Sequence, residues 1–153
     1  MAQLNTLTDM KKVRTNKGFT LLEIIVVVAI IAILAAYIAP KVAGRVDDAR
    51  ISKAKSDIRV LESSLELYKL DNFVYPSSGQ GLGSLVTKPS GDGTKNWRDG
   101  GYIKKLNKDP WGNQYQYSYP GSNGEFDVFS LGADAAAGGE GDAADIGNWN
   151  LDS

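Results

Sequence analysis

The sequence predicts an α+β fold: a long N-terminal helix, transmembrane in its first half and amphipathic in its second, packed on a small antiparallel sheet with a C-terminal metal-binding loop. Three observations predict it. Residues 19–39 are apolar apart from one charge, Glu23. Ile51, Ala54, Ile58, Leu61, Leu65 and Tyr68 then recur at alternating spacings of three and four, a helical stripe. Near the C-terminus, Gln114–Tyr119 alternates polar and aromatic residues, and Phe126–Leu131 answers it across a Pro-Gly-Ser-Asn-Gly turn.

The apolar run comes first in the argument. At ~1.5 Å per residue, 21 residues make about 30 Å of helix, enough to cross a bilayer. A carboxylate inside such a segment costs roughly 2.5–3.5 kcal/mol at mid-membrane and less near the interface. An ordinary signal anchor leaves Glu23 without a reason. Residues 1–18 carry Lys11, Lys12, Arg14 and Lys17 against Asp9, whereas the far flank is mixed, with Lys41 and Arg45 against Asp47 and Asp48. The excess of positive charge puts the N-terminus in the cytoplasm and the remainder outside it. A secretory signal would have a shorter apolar core followed by a small-residue cleavage site, and only Ala35-Ala36-Tyr37 offers one.

The stripe from Ile51 to Tyr68 continues the helix, so one helix is expected from about Phe19 to about Leu70, with a kink or local melting at Pro40. Lys53, Lys55, Asp57, Arg59, Glu62 and Glu66 form its solvated face. Asp71-Asn72 ends it. A loop with anchoring aromatics follows, containing a short helical turn at residues 81–86 and a polar, glycine-rich stretch from Ser90 to Gly101 anchored by Trp97. Asp109-Pro110-Trp111-Gly112-Asn113 is a turn: proline fixes φ, and glycine or asparagine accepts positive φ. The hairpin comes next. The domain boundaries are therefore 1–18, 19–40 and 41–153, the last divided into helix to about 70, loop 71–110, and sheet with terminal loop 111–153.

Composition excludes several classes. The chain has 153 residues, with no Cys and no His. Thiol chemistry, His–carboxylate catalysis and zinc ligation by Cys or His are absent. Loss of the leader would remove four of 17 basic and one of 18 acidic residues, leaving 13 and 17 and a formal charge of −4. A nucleic-acid partner would want a clustered basic face, so none is expected.

Residues 131–147 form a Gly/Ala-rich loop with four carboxylates and no basic residue. Two readings stay open on composition: a solvated disordered segment, or a calcium site, since that ion takes six to eight oxygens from carboxylates and carbonyls in flexible geometry. The spacing is not that of an EF-hand. Trp149 gives the following chain something to dock.

Lys17-Gly18-Phe19-Thr20-Leu21-Leu22-Glu23 resembles the type III signal of type IV pilins and type II secretion pseudopilins. That resemblance implies cleavage between Gly18 and Phe19 by a prepilin peptidase, methylation of Phe19, and pairing of Glu23 with the N-terminal amine of a neighbouring subunit. A carboxylate in a low-dielectric setting is tolerable when a cation from another chain meets it. Residues 68–76, 109–115, 130–134, 138–141 and 144–146 are similar to the major pseudopilins of type II secretion systems.

The resemblance implies a structural subunit, not an enzyme. It would sit in the inner membrane as a single-pass protein with a periplasmic domain, and would polymerise with copies of itself into a helical periplasmic fibre that pushes folded proteins through the outer membrane. Minor pseudopilins and an inner-membrane assembly platform would be its partners, with energy from a separate ATPase. It also implies a structural Ca2+ held by Asp134, Asp142, Asp145 and the carbonyl of Leu131. Ala135 stands where similar proteins have glycine, a strain if positive φ is needed.

The alternatives are a type IV pilin for adhesion or motility, an anchored hydrolase using Asp134 and Asp142, and a calcium-dependent adhesin. Many type IV pilins close their terminal loop with a disulfide, which this chain cannot form. A domain of this size leaves little room for a hydrolase cleft, and an adhesin would not explain Gly18-Phe19 and Glu23.

Overall fold

The computed structural model describes residues 18–91 and 94–152. The leader reading falls on residues 1–17, outside the described residues, except for Gly18. The chain divides into two compact units, residues 1–41 and 42–153.

Helix α1 spans Leu21–Asn72 with Pro40 inside it. The sequence places its ends within two residues. In the first unit every described residue is exposed, and this part of the helix is long and apolar enough to cross a membrane. Pro40 cannot donate to the carbonyl of Ala36, so one helical hydrogen bond is missing there.

In the second unit α1 becomes amphipathic, as the stripe requires. Ala54, Ile58, Leu61, Leu65 and Tyr68 are buried and Ile51 is half-buried. They pack in one core with Tyr75, Leu82, Leu85, Tyr115, Phe126, Val128, Ile146 and Leu151. The expected helical turn is a 3-10 helix, Leu82–Leu85. Trp97 anchors its loop by donating from Nε1 to the Ser84 carbonyl at 2.8 Å. The sheet is antiparallel in the order β1-β2-β3: β1 Gln116–Ser118, β2 Asp127–Ser130 and β3 Ile146–Gly147. Gln116 pairs with Phe129, and Phe129 with Gly147.

The hairpin strands are shorter than the alternating pattern predicts, and β3 was not predicted. At two residues it is too short to show a period-2 pattern. It is defined instead by pairing with β2 and by the turn after it, where Gly147 N donates to Asn150 Oδ1 at 2.9 Å. Gly147 is required there: a Cβ would come within 2.3 Å of the Trp149 ring, which stacks on Phe129 at 5.6 Å between centroids. Trp149 does dock, as its position predicts.

Tyrosines tie the sheet and loops to α1. Tyr115 donates to Asp57 Oδ2 at 3.0 Å, Tyr75 to Glu66 Oε1 at 2.7 Å, and Tyr117 to the Pro76 carbonyl at 2.8 Å. Each buries a ring while its hydroxyl finds a partner, which keeps burial favourable. Burial pushes the Glu62 carboxyl above its ordinary value of 4.5, and the charge of Glu66 adds to the rise.

Two outcomes follow for a soluble second unit. Leu65→Ala should destabilise it by about 2–5 kcal/mol, because Leu65 is fully buried and its removal leaves a cavity; denaturant titration reads this. Well below pH 4.5 Glu62 is protonated in both states, and as pH rises through that value the folded state opposes its ionisation. Glu62→Gln should therefore raise the melting midpoint at pH 7, with the difference vanishing below pH 4.5; a gain largest in acid would contradict the assignment.

Candidate functional site

Two sites were legible in the sequence: the start of the apolar segment and the acidic glycine loop.

At the first, Gly18, Phe19 and Thr20 precede α1 and are exposed. Thr20 N and Thr20 Oγ1 both donate to Glu23 Oε2 at 2.8 Å, and Glu23 N donates to Thr20 Oγ1 at 3.2 Å. This is a reciprocal capping box, which satisfies donors at a helix start that have no intrahelical partner. Thr20-Leu21-Leu22-Glu23 carries its signature, Thr followed three residues later by Glu before an apolar run. The box gives Glu23 a local role beside any role between chains. A cap contributes ~1 kcal/mol, less than the mid-membrane cost of the acid. All the cap bonds to the carboxylate use Oε2, so Oε1 lies outside the box.

The second site grows from a buried anchor. Asp109 Oδ1 accepts from Trp111 N and Asn113 N at 3.1 and 2.7 Å, closing the Pro110 turn. Its Oδ2 accepts from Ser130 Oγ at 2.6 Å, and the same Oγ accepts from Gly132 N at 3.1 Å. Asn113 Nδ2 donates to the Gly132 carbonyl at 3.3 Å. One buried carboxylate thus fixes the turn, the end of β2 and the loop entrance.

Gly132 has φ 67, and a Cβ there would meet the Asp142 carbonyl oxygen at 2.8 Å. That close approach lets Ala133 N donate to the Asp142 carbonyl at 2.9 Å, bringing the two ends of the loop together. Gly139 is equally constrained, with the Ala143 carbonyl oxygen 2.3 Å from its would-be Cβ. Ala135 sits at φ 55, so the strain expected of an alanine in place of glycine is present.

The proposed ligands are placed as follows. Asp134 is exposed, and its Oδ1 accepts from Ala136 N at 3.1 Å. Asp142 lies in a short 3-10 turn, Gly141–Ala143, and is half-buried. Asp145 is half-buried; its Oδ2 accepts from Gly138 N at 2.9 Å, while its Oδ1 is buried with no hydrogen-bond partner among the described residues. Leu131 is half-buried at the loop entrance. Among the described residues no three carboxylates converge as a ready metal cluster.

The donor set is nevertheless all hard oxygen, and a buried carboxylate oxygen without a partner is a position a cation would satisfy. Calcium does not need three clustered carboxylates, because carbonyls and water supply part of its shell. The loop therefore fits this ion in its chemistry.

Comparison with known proteins decides the kinship. The family described as "Type II secretion system (T2SS), protein G" matches residues 41–149. The chain belongs to the type II secretion system protein G family. A prokaryotic N-terminal methylation motif matches residues 13–39, spanning Gly18, Phe19 and Glu23. Type II secretion system core protein G of Vibrio cholerae serotype O1 is 57% identical over 142 residues, 93% of this chain and 97% of that protein. The core protein G of Pseudomonas aeruginosa is 55% identical, over 90% of this chain and 97% of that protein. The crystal structure of the major pseudopilin from the type 2 secretion system of enterohaemorrhagic Escherichia coli matches with a TM-score of 0.62 and 44% identity, over 70% of this chain and 92% of that one. The long helix on a three-stranded antiparallel sheet is thus a pseudopilin fold.

The loop backbone yields opposed expectations at two alanine/glycine positions. Gly132→Ala should destabilise the second unit by more than the ~1–2 kcal/mol of left-handed strain alone, because the Cβ also meets backbone. Ala135→Gly should be neutral or stabilising by up to ~1 kcal/mol, since relief of strain outweighs the added freedom of the unfolded chain. Paired denaturant titrations check both; a clear loss of stability in Ala135→Gly would show that the loop takes another path.

Proposed function

We infer that this chain is a structural subunit that polymerises into the periplasmic pseudopilus of a type II secretion system and so drives export of folded proteins across the outer membrane. The observation that carries the reading is the apolar half of α1, exposed on every face, in a chain of this family that bears the methylation motif. Such a surface needs lipid or other apolar helices around it. The subunit waits in the inner membrane, N-terminus in the cytoplasm and domain in the periplasm. Cleavage between Gly18 and Phe19 and methylation of Phe19 prepare it for the fibre, where the apolar halves pack together.

Glu23 is the register element. Within its own chain it caps α1; in the fibre its carboxylate meets the amine of a neighbour's Phe19, and the two charges neutralise away from water. Minor pseudopilins and the inner-membrane platform are the other partners. The role is mechanical and non-enzymatic. A type IV pilin for adhesion or motility is the lesser reading, because the family match is to the secretion system component.

We further propose a structural Ca2+ in the acidic loop, held by Asp134, Asp142, Asp145 and the Leu131 carbonyl. When bound, the ion supplies the positive charge that four carboxylates lack. Gly132 and Gly139 let the loop backbone close, Asp145 turns an unpartnered oxygen inward, and Asp109 holds the entrance.

Two outcomes test these readings. Glu23→Ala in the full chain should insert and keep its fold but give few fibres by electron microscopy; abundant normal fibres would contradict the register role. A soluble domain from about Val42 should melt higher with calcium than with chelator, by roughly 2.7 kcal/mol at a hundredfold excess over the dissociation constant. Asp134→Ala should remove that difference, and a wild-type domain indifferent to calcium would contradict the ion.

A further inference from the structure

The loop between β1 and β2 holds the one Asn-Gly step of the sequence, Asn123-Gly124; each other asparagine is followed by a residue with a side chain. Both residues are exposed. The side-chain carbonyl carbon of an asparagine is open to attack by the backbone nitrogen of the next residue, and glycine puts no Cβ in the way of that nitrogen. Among the described residues nothing accepts a hydrogen bond from Gly124 N–H, so the attacking group is not tied up.

Under the loop lies a buried carboxylate. Asp127 opens β2 and is 3% exposed. Ser122 N donates to its Oδ2 at 2.7 Å, Asn123 N to its Oδ1 at 3.1 Å, and Asn123 Nδ2 to its Oδ2 at 3.1 Å. The loop wraps it closely, since a Cβ on Gly121 would meet Asp127 Oδ1 at 2.8 Å. Among the described residues Asp127 is in no ion pair, so amide donors stand in for a cation. The same loop ties the hairpin to α1 through Glu125, paired with Lys69 at 2.6 Å.

We propose that Asn123 is a site of spontaneous deamidation, and that the reaction replaces a donor to Asp127 with a like charge. Gly124 N bonds to Asn123 Cγ and gives up its proton. The Cγ–Nδ2 bond breaks, and Nδ2 takes up a proton and leaves as ammonia. Water then opens the cyclic imide at either carbonyl, which yields aspartate or isoaspartate. Water is the only co-reactant. A buried carboxylate that loses a hydrogen-bond donor and gains a negative neighbour is costly, and the loop opens to separate the two. The modification acts through charge, as phosphorylation does, and loosens the hairpin and its tie to α1. The inference is independent of the pseudopilus reading, because it concerns the second unit in any assembly.

Full-length protein in detergent, held at mildly alkaline pH, should accumulate aspartate and isoaspartate at position 123. Peptide mapping by mass spectrometry with isoaspartyl methyltransferase labelling reads this, and the other asparagines are internal controls. Gly124→Ala should keep the fold, since its Cβ would meet the Phe126 carbonyl oxygen at an ordinary 3.6 Å, and should slow the reaction severalfold. Wild-type Asn123 still intact after several half-lives of the free loop peptide would overturn the site. Asn123→Ala removes the donor alone, whereas Asn123→Asp adds the charge as well. Asn123→Asp should therefore melt several degrees below Asn123→Ala; equal midpoints would overturn the clash with Asp127.

Discussion

One constraint governs the first unit: its part of α1, from Leu21 to Lys41, is exposed on every face, and nothing among the described residues covers it. At roughly 25 cal/mol per Å² of apolar surface, water is not a tolerable environment for it. Lipid, or the apolar helices of other copies, would cover it. The basic leader, the mixed far flank and the single acid at Glu23 make sense only against that constraint. The cap from Thr20 offsets part of the cost of the acid, and its Oε1 lies outside the bonds that Thr20 makes.

The second unit meets the opposite requirement of standing in water as a small domain. It uses one face of α1 as half of its core and covers it with a minimal sheet, tyrosine hydroxyls and loops. A three-stranded sheet whose last strand has two residues has little cooperativity of its own. Its geometry depends on side-chain anchors: the Asp109 carboxylate joins a turn and a strand end through three hydrogen bonds, Ser130 Oγ carries the link on to Gly132 with a fourth, and Gly147 admits Trp149. The acidic loop extends from this framework with its ends joined by Ala133 and Asp142. A cation there would relieve the repulsion among its carboxylates and the isolation of Asp145 Oδ1.

Periodicity made the long helix readable, because a 3.6-residue repeat over Ile51–Tyr68 has no other explanation. The turn chemistry of Asp109–Asn113 and the loop after Tyr119 made the hairpin readable. Strand β3 was not, because two residues carry no period and its existence depends on pairing with β2. The N-terminal motif is legible as a pattern, and the Thr20–Glu23 spacing within it also encodes the capping box. In the loop, the resemblance implies a glycine where Ala135 stands and so a strain if φ is positive, and φ is 55. The ligand set was not legible in the same way, since carbonyl directions follow from backbone angles that composition does not fix. Of the aromatics expected to anchor the loop after α1, Tyr75 is buried while Phe73 is exposed at φ 67, a backbone angle that composition does not fix.

The claim that the apolar helix belongs to a processed, assembling subunit is tested most directly at its first residue. Mass spectrometry of the full chain, recovered from membranes of a cell with an active prepilin peptidase, reads the mature N-terminus. The account predicts a chain beginning at Phe19 with a methylated amine and the apolar helix retained. A chain that keeps residues 1–18, or one cleaved after the apolar segment, would contradict it.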